Sequence, residues 1–397
     1  MNKKIVAARM PLYGTSCIVT VLYEDGHAAE VSVISEERPS PLGNIYLGRI
    51  ENIQKNLGAA FVRLGEEGNG YLPLPKGSSL KQGDEILVQV EKEAIKQKLP
   101  RLTAELTMPG RYMVLTSGDA AVHFSRKLTS EEKERIGAAI REVCPVDTDR
   151  KIGVVVRTNA REASPEELAE EYRILHERLG AILQYGPTRT CYSCLFKAPG
   201  DWVRMLKSCS LEDLEKITTD SEIVYREITE CLRETGSGQR VNVSFYEDPM
   251  VSLYKLFNFT TLLTELETNR VWLKSGGFLV IEQTEAFTAV DVNTGRMTVK
   301  KSPAETAALT NREAACELIR QLRLRELSGT ILVDFINMRD PSEQKALIEY
   351  MRTLLQSDSA NTNIIDFTAL CICEITRRKT RKSFKEQIKT IHDTDPL

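Results

Sequence analysis

A strand, a long helix and a second strand follow one another in the last third of this chain, and no other stretch restricts the fold as much. GGFLVIEQ and AFTAVDVNTG read as two strands around a Thr284–Glu285 turn. SPAETAALTNREAACELIRQLRLREL then reads as a helix, with Ser302 placed to cap it, Pro303 at its first position and Glu305 completing a capping box. GTILVDFINM follows as another strand. A strand–helix–strand run closes as a right-handed crossover, so the strands bearing Asp291 and Asp334 are expected to be parallel and neighbouring, or nearly so.

Those two strands carry polar residues where apolar ones would be ordinary. Residues two apart on a strand share a face, so Asp291 and Asn293 point the same way, together with Ala289. Asp334 is the sole polar residue in ILVDFI, a run that reads as a buried strand. An ionised carboxylate there costs several kcal/mol unless it is paired, protonated or bound to a metal. A shared hard cation explains both aspartates. All-oxygen ligation points to magnesium, with manganese as the alternative, because such ions keep waters and recruit substrate phosphates. Asn293 cannot act as a base and is expected to orient a carboxylate or the phosphate. The competing reading is structural: an aspartate capping a loop, or pairing with an arginine such as Arg323. A metal held by two aspartates suits phosphodiester hydrolysis by an activated water. The pattern GxxxxGK[ST] occurs nowhere, which disfavours an NTPase.

Composition narrows the class further. The 397 residues, 42% hydrophobic and 27% charged, are enough for several domains with sizeable cores. No apolar run approaches the roughly 20 residues that span a bilayer, and MNKKIVAARMPLYG lacks a secretory h-region, so a cytoplasmic protein is expected. Nine scattered cysteines suit a reducing compartment. Cys191 and Cys194 form a lone CxxC without a second half, better read as ordinary thiols than as a metal or redox site. Four dispersed histidines argue against a histidine base or a histidine-held metal. Net charge is only −3, but basic residues concentrate in ITRRKTRKSFKEQIK, while SPEELAEEYR is acidic; both read first as solvated faces.

Upstream, residues 1–39 alternate apolar and polar as a hairpin or meander. NIYLGRIENI, GAAFVRLG, GNGYLPL, DEILVQVEKE and RYMVLT read as five strands of a small closed barrel. SEEKERIGAAIREV is a helix, KIGVVVRT a strand and SPEELAEEYRILHERLGAIL a helix; SLEDLEKI and YREITECLRET read as further short helices.

FTAVDVNTGR, followed by TNREAACELIRQLRLRELSGTILVDFINM, closely resembles the catalytic segment of the ribonuclease E/G family of single-strand-specific endoribonucleases. The resemblance runs from PLGNIYLGRIENIQKNLGAAFVRLG to FTALCICEITRRKTRKS. It implies an α+β, multi-subdomain protein. A ribonuclease-H-like subdomain, split between residues 1–39 and 204–266, would carry an inserted S1-type OB-fold barrel at 40–115 and a 5′-sensor region at 116–203. A DNase-I-like α/β catalytic domain with a basic tail would occupy 267–397. The family's magnesium-ligating aspartates match Asp291 and Asp334, and its catalytic asparagine matches Asn293. Its RNA-channel aromatics match Phe61 and Tyr71, with tyrosine where phenylalanine is usual, and a channel lysine matches Lys98. Rings offer stacking platforms for unpaired bases; without the resemblance, Phe61 reads as barrel core. Arg157 and Thr158 match the pocket that recognises a 5′-monophosphate, and Arg126, in Ser125-Arg126-Lys127, matches a nearby basic element that helps hold RNA.

Departures from the family are also plain. The CPxC zinc-link and the small domain that follow the catalytic domain are not in the sequence, and Cys371 and Cys373 have the wrong spacing to replace the link, so no zinc is expected. A homodimer would need another surface. DFINM replaces DFIDM, with Asn337 in place of an acidic residue, and Lys274 stands where proline is customary. The expected protein is a magnesium-dependent endoribonuclease of precursor or messenger RNA, leaving 5′-phosphate and 3′-hydroxyl ends and favouring 5′-monophosphorylated substrates. Two rivals stay open: an RNA-binding protein without cleavage, acting in ribosome assembly, and a metal-dependent deoxyribonuclease.

Overall fold

The computed structural model describes residues 2–94, 98–144, 147–235, 241–295, 303–358 and 360–392. The expected Ser302 cap falls outside them, as does Arg296 of the FTAVDVNTGR run. Two compact units emerge: residues 1–38, 218–221 and 246–397 form one, and residues 39–217 with 222–245 form the other.

In the first unit, Lys3–Leu12, Thr15–Glu24 and His27–Ser35 make the expected antiparallel meander. Its turns, Tyr13-Gly14 and Asp25-Gly26, have positive φ at both residues, the backbone twist that tight hairpins need. A six-stranded sheet follows, in the order Arg270–Trp272, Phe278–Gln283, Phe287–Asn293, Gly329–Asp334, Ile372–Arg377 and Thr362–Phe367. Phe287–Asn293 and Gly329–Asp334 are parallel neighbours, as the crossover required. The crossover helix Pro303–Leu324 sets Ala314, Leu318 and Leu322 along one stripe. With Leu347 and Met351 of the helix Pro341–Leu354, that stripe packs against Leu279, Ile281, Val290, Val292, Ile331, Val333, Cys373 and Ile375, which share one sheet face.

This arrangement corrects one expectation. The strand Gly329–Asp334 buries Ile331 and Val333 but exposes Asp334, and Asp291 is exposed as well. Among the described residues helices cover one face only, so an apolar run that reads as doubly buried is half-buried. Burial therefore does not oblige the two carboxylates to find a counter-charge.

The run ITRRKTRKSFKEQIK is not a solvated basic tail either. Arg377 is buried, its guanidinium on Asp358 (3.0 Å) and Glu326 (3.1 Å). Arg381 pairs with Glu326 at 2.7 Å, Lys379 pairs with Glu386 at 2.8 Å, and Phe384–His392 is helical. Arg323 is likewise committed, to Glu24 (2.7 Å) and Glu30 (3.4 Å), and does not serve the sheet aspartates.

In the second unit, Ile45–Gln54, Ala59–Arg63, Asn69–Pro73, Glu85–Lys92 and Arg101–Thr103 close a five-stranded barrel around Ile50, Ala60, Val62, Leu72, Val88, Val90 and Leu102. The fifth strand is not RYMVLT. Met113–Ser117 instead joins Thr107–Pro109, Val122–Phe124 and Ile152–Val156 in a separate sheet. Ser130–Val143 and Pro165–Tyr185 pack on that sheet, each opened by a capping box, Thr129 with Glu132 and Ser164 with Glu167. SLEDLEKI is not helical: Leu214–Thr219 is a strand, ending in the β-branched run Ile217-Thr218-Thr219, whose sheet preference outweighs the helix-forming Glu and Lys before it. Glu222–Glu234 is the helix expected around YREITECLRET. Among the described residues, no helix is long and apolar enough to cross a membrane.

Removing one partner of a buried ion pair strands the other. Arg377→Ala should cost about 3–5 kcal/mol in urea unfolding, because Asp358 loses the Arg377 guanidinium and Glu326 loses one of its two arginines. Burial pushes the Asp358 carboxyl up, but the Arg377 guanidinium and the Thr362 hydroxyl outweigh it and leave the group below its ordinary 3.8. Its stabilisation is thus complete above pH 3.8 and lost as pH falls through the lower folded value, a loss that Arg377→Ala should abolish.

Candidate functional sites on the carboxylate face and on the second unit

On the uncovered sheet face, the parallel ladder sets Asp291 directly opposite Asp334. The Asn293 side-chain amide donates to the Asp291 Oδ2 at 2.7 Å, so the two residues that share a strand face are bonded to each other. Three residues named from sequence are thereby brought together. They offer two carboxylates, both exposed, and one half-buried carboxamide whose oxygen is directed by that bond.

The strand ends here for a steric reason. Gly295 adopts φ +59°, and a Cβ there would come within 2.2 Å of the Gly276 carbonyl oxygen. A Cβ on Gly277 would meet the Asn293 carbonyl at 2.8 Å. The Ser275-Gly276-Gly277 turn and the end of the Asn293 strand therefore pack backbone on backbone. Glu313 of the crossover helix accepts the Ser275 N–H at 3.2 Å and holds that turn. Lys274, where proline is customary, is exposed in the same turn.

After Asp334 the chain is held by Asn311. Its side chain accepts from the Ile336 N–H (3.0 Å) and donates to the Ile336 carbonyl (2.8 Å). Asn337 then takes φ +50°, a left-handed conformation that asparagine and aspartate tolerate better than most residues. The substitution in DFINM thus preserves what the backbone needs there. Cys371 lies in a turn at φ +63°, whereas Cys373 is fully buried and its thiol is pushed up to about 12 by burial, with nearby Asp366 and Glu374 adding to the effect.

In the second unit, Phe61 and Tyr71 are cross-strand partners on the barrel, edge to face with ring centroids 6.3 Å apart. Both are half-buried and outside the barrel's buried core, so the reading of Phe61 as core is corrected. The Tyr71 N–H donates to the Pro100 carbonyl at 2.8 Å, which lays the segment carrying exposed Lys98 alongside the aromatic strand.

The Arg-Thr pair lies at the end of the strand Ile152–Val156. The Thr158 and Ser125 hydroxyls are 3.0 Å apart, exposed Arg126 follows Ser125, and the Arg157 Nη1 donates to the Gly110 carbonyl at 2.6 Å. Burial holds the Arg157 guanidinium below its ordinary range, with Glu171 opposing and Arg111 and Arg204 adding to the effect. An anion arriving there would relieve the arginine.

Sequence reasoning missed Glu171. It belongs to SPEELAEEYR, read as a solvated acidic face, yet it is buried, and its carboxylate accepts the backbone N–H groups of Arg111, Tyr112 (2.7 Å) and Met113 (3.0 Å). That grip fixes the loop whose Gly110 carbonyl receives Arg157. The signal available was weak: Glu171 falls in register with the buried Leu168, Tyr172 and Leu175 stripe. Glu171→Ala leaves three buried donors unmatched and should cost about 3 kcal/mol in urea unfolding.

The model of the "Ribonuclease E/G family" matches residues 107–380. Ribonuclease E of Nostoc sp. is 33% identical over 364 residues, covering 87% of this chain and 52% of that protein. Ribonuclease E of Synechocystis sp. is 31% identical, with 87% and 53% covered. The chain thus spans about half the length of these cyanobacterial relatives. Ribonuclease G of Escherichia coli is 30% identical over 388 residues, covering 92% of this chain and 78% of that protein. With a family match over most of its length, a relative 30% identical of which it covers 78%, and a closed five-stranded barrel, this chain belongs to the ribonuclease E/G family.

Proposed function

We propose that the protein is a divalent-metal-dependent endoribonuclease that cuts single-stranded RNA at Asp291, Asn293 and Asp334. The observation that carries this reading is the in-register pairing of Asp291 with Asp334, with Asn293 bonded to Asp291 at 2.7 Å. Two exposed carboxylates and a carboxamide form an oxygen-only donor set, and among the described residues no cluster of three or more His, Cys, Asp or Glu side chains converges. Such a sparse set suits magnesium or manganese, which complete their shells with water and substrate phosphate.

Asp291 and Asp334 would hold the ion, which when bound supplies Lewis acidity at a non-bridging phosphate oxygen and lowers the pKa of a water. Asn293 restrains the Asp291 carboxylate through its amide donor to Oδ2, which would leave the second carboxylate oxygen for the ion. The solvated sheet face admits an unpaired strand and the water that attacks phosphorus. Water attack breaks the P–O3′ bond, which leaves a 3′-hydroxyl upstream and a 5′-phosphate downstream and gives the ribose 2′-hydroxyl no role.

The Phe61–Tyr71 pair and Lys98 would bind bases and backbone as parts of an S1-type OB-fold at 40–115, since rings stack on any base and a lysine meets phosphate. Arg157, Thr158 and Arg126 would recognise a 5′-monophosphate in the 116–203 region; the bond from Arg157 to Gly110 and the Ser125–Thr158 hydroxyl pair supply a built donor set. The same reading includes the split ribonuclease-H-like part at 1–39 and 204–266, the DNase-I-like part at 267–397, a cytoplasmic location and a homodimer.

Asp291→Asn and Asp334→Asn should each lower kcat on a labelled single strand in magnesium by about a hundredfold or more while RNA binding persists. Cleavage at the parent rate would overturn the mechanism, and binding without products in magnesium or chelator would favour a non-cleaving RNA-binding protein. On one RNA carrying either a 5′-monophosphate or a 5′-triphosphate, Arg157→Ala should erase the monophosphate preference and leave cleavage of the triphosphate form unchanged. An undiminished preference would remove the sensor assignment alone.

A further inference from the structure

The carboxylate face carries another feature that phosphate chemistry does not use. Trp272, on the edge strand Arg270–Trp272, is 64% exposed, while Val271 beside it packs toward the core. Residues opposite one another across a ladder share a face. One row of this face runs Arg270, Val280, Asp291, Asp334, and the adjacent row runs Trp272, Phe278, Asn293. Trp272 thus lies two strands from Asn293, about 10 Å at the backbone. Its ring centroid is 5.3 Å from that of Phe278, and the Arg270 guanidinium sits 4.5 Å from the Phe278 ring and 5.6 Å from the Trp272 ring.

We propose that Trp272, flanked by Arg270 and Phe278, is a base-stacking subsite that holds a nucleobase of single-stranded RNA next to the phosphodiester presented to Asp291 and Asp334. The proposal rests on the nuclease reading above. A single exposed aromatic needs no explanation. An indole beside a second ring, with a planar cation over both and in the row next to paired carboxylates, is a different arrangement. Any base can stack on an indole, and an arginine beside it adds cation–π attraction and a donor for the adjoining phosphate. A second copy of this chain is the poorer occupant. The exposed neighbours of Trp272, Arg270 on its own strand and Lys274 in the adjoining turn, are both cationic, a charge that suits an RNA backbone and repels the same face of a second copy.

The sequence contains two tryptophans, which makes the subsite directly readable. The other, Trp202, is 5% exposed, with its indole N–H donating to Glu227 at 2.9 Å, so an added ligand acts mainly on Trp272 emission. Single-stranded oligouridylate, with chelator to prevent cleavage, should quench emission saturably in the full chain and in a Trp202→Phe variant. Trp272→Ala should raise Kd and KM about tenfold with kcat nearly unchanged, the signature of lost uniform binding. Trp272→Phe, which keeps a stacking ring, should recover most of the affinity. If RNA is bound and cut but emission stays constant and Trp272→Ala leaves KM unchanged, the subsite falls and the nuclease reading stands. If emission instead follows protein concentration and Trp272→Ala dissociates a dimer, the face is a contact between copies and the proposal is overturned. If the parent neither binds nor cuts RNA, both readings fall together.

Discussion

The parallel pairing of the Asp291 and Asp334 strands is the constraint from which the candidate site follows. The crossover helix presses Ala314, Leu318 and Leu322 onto Val290, Val292, Ile331 and Val333, and this burial pins the register. Because side chains alternate, a slip of one residue would send Asp334 into that apolar layer. Apolar packing on one face therefore sets the carboxylate geometry on the other. The placements of Asn293, of the Gly276-Gly277 turn and of Trp272 all descend from the same sheet.

Buried charge performs the fine positioning. Glu171 gathers three backbone N–H groups and thereby aims a carbonyl at Arg157. Arg377 ties the end of its strand to Asp358 and Glu326. Asn311 does the same with neutral groups after Asp334. Each of these residues has the composition of a surface group, and each is placed inside because a loop or strand end offers backbone or side-chain partners that water would otherwise satisfy. Removing one exposes the neighbour's desolvation cost, so their effect on the sites is larger than a pairwise contact suggests.

Legibility varied with the range of the interactions that decide each element. The helices Ser130–Val143 and Pro165–Tyr185 were legible as helices, and the structure shows a local reason, a capping box at the start of each. The barrel could be read as a barrel, but its fifth strand is the short Arg101–Thr103, closed by pairing with Glu85–Lys92 and a single bridge to Tyr71, while the stronger-looking RYMVLT run pairs elsewhere. Leu214–Thr219 was mistaken for a helix because sheet pairing, a long-range event, overrode its charged first half. The exposure of Asp334 was misread for a related reason: an apolar strand does not announce whether one of its faces is covered or both.

What the sequence determined by itself is chemical and local: two aspartates and an asparagine on strands joined by a crossover, and, through a resemblance to a family, an aromatic pair on a barrel and an arginine-threonine pair at a strand end. The first follows from strand alternation and crossover topology, which act over a few residues or admit one arrangement; the two pairs are legible only through the resemblance. Only the tertiary structure decided which residues share a surface: Asp291 beside Asp334, Glu171 beneath the Arg157 loop, and Trp272 in the row beside the carboxylates. Such neighbours are chosen by strand order, register and the covered face of a sheet, and those depend on packing between segments far apart in the chain, which spacing along it does not encode.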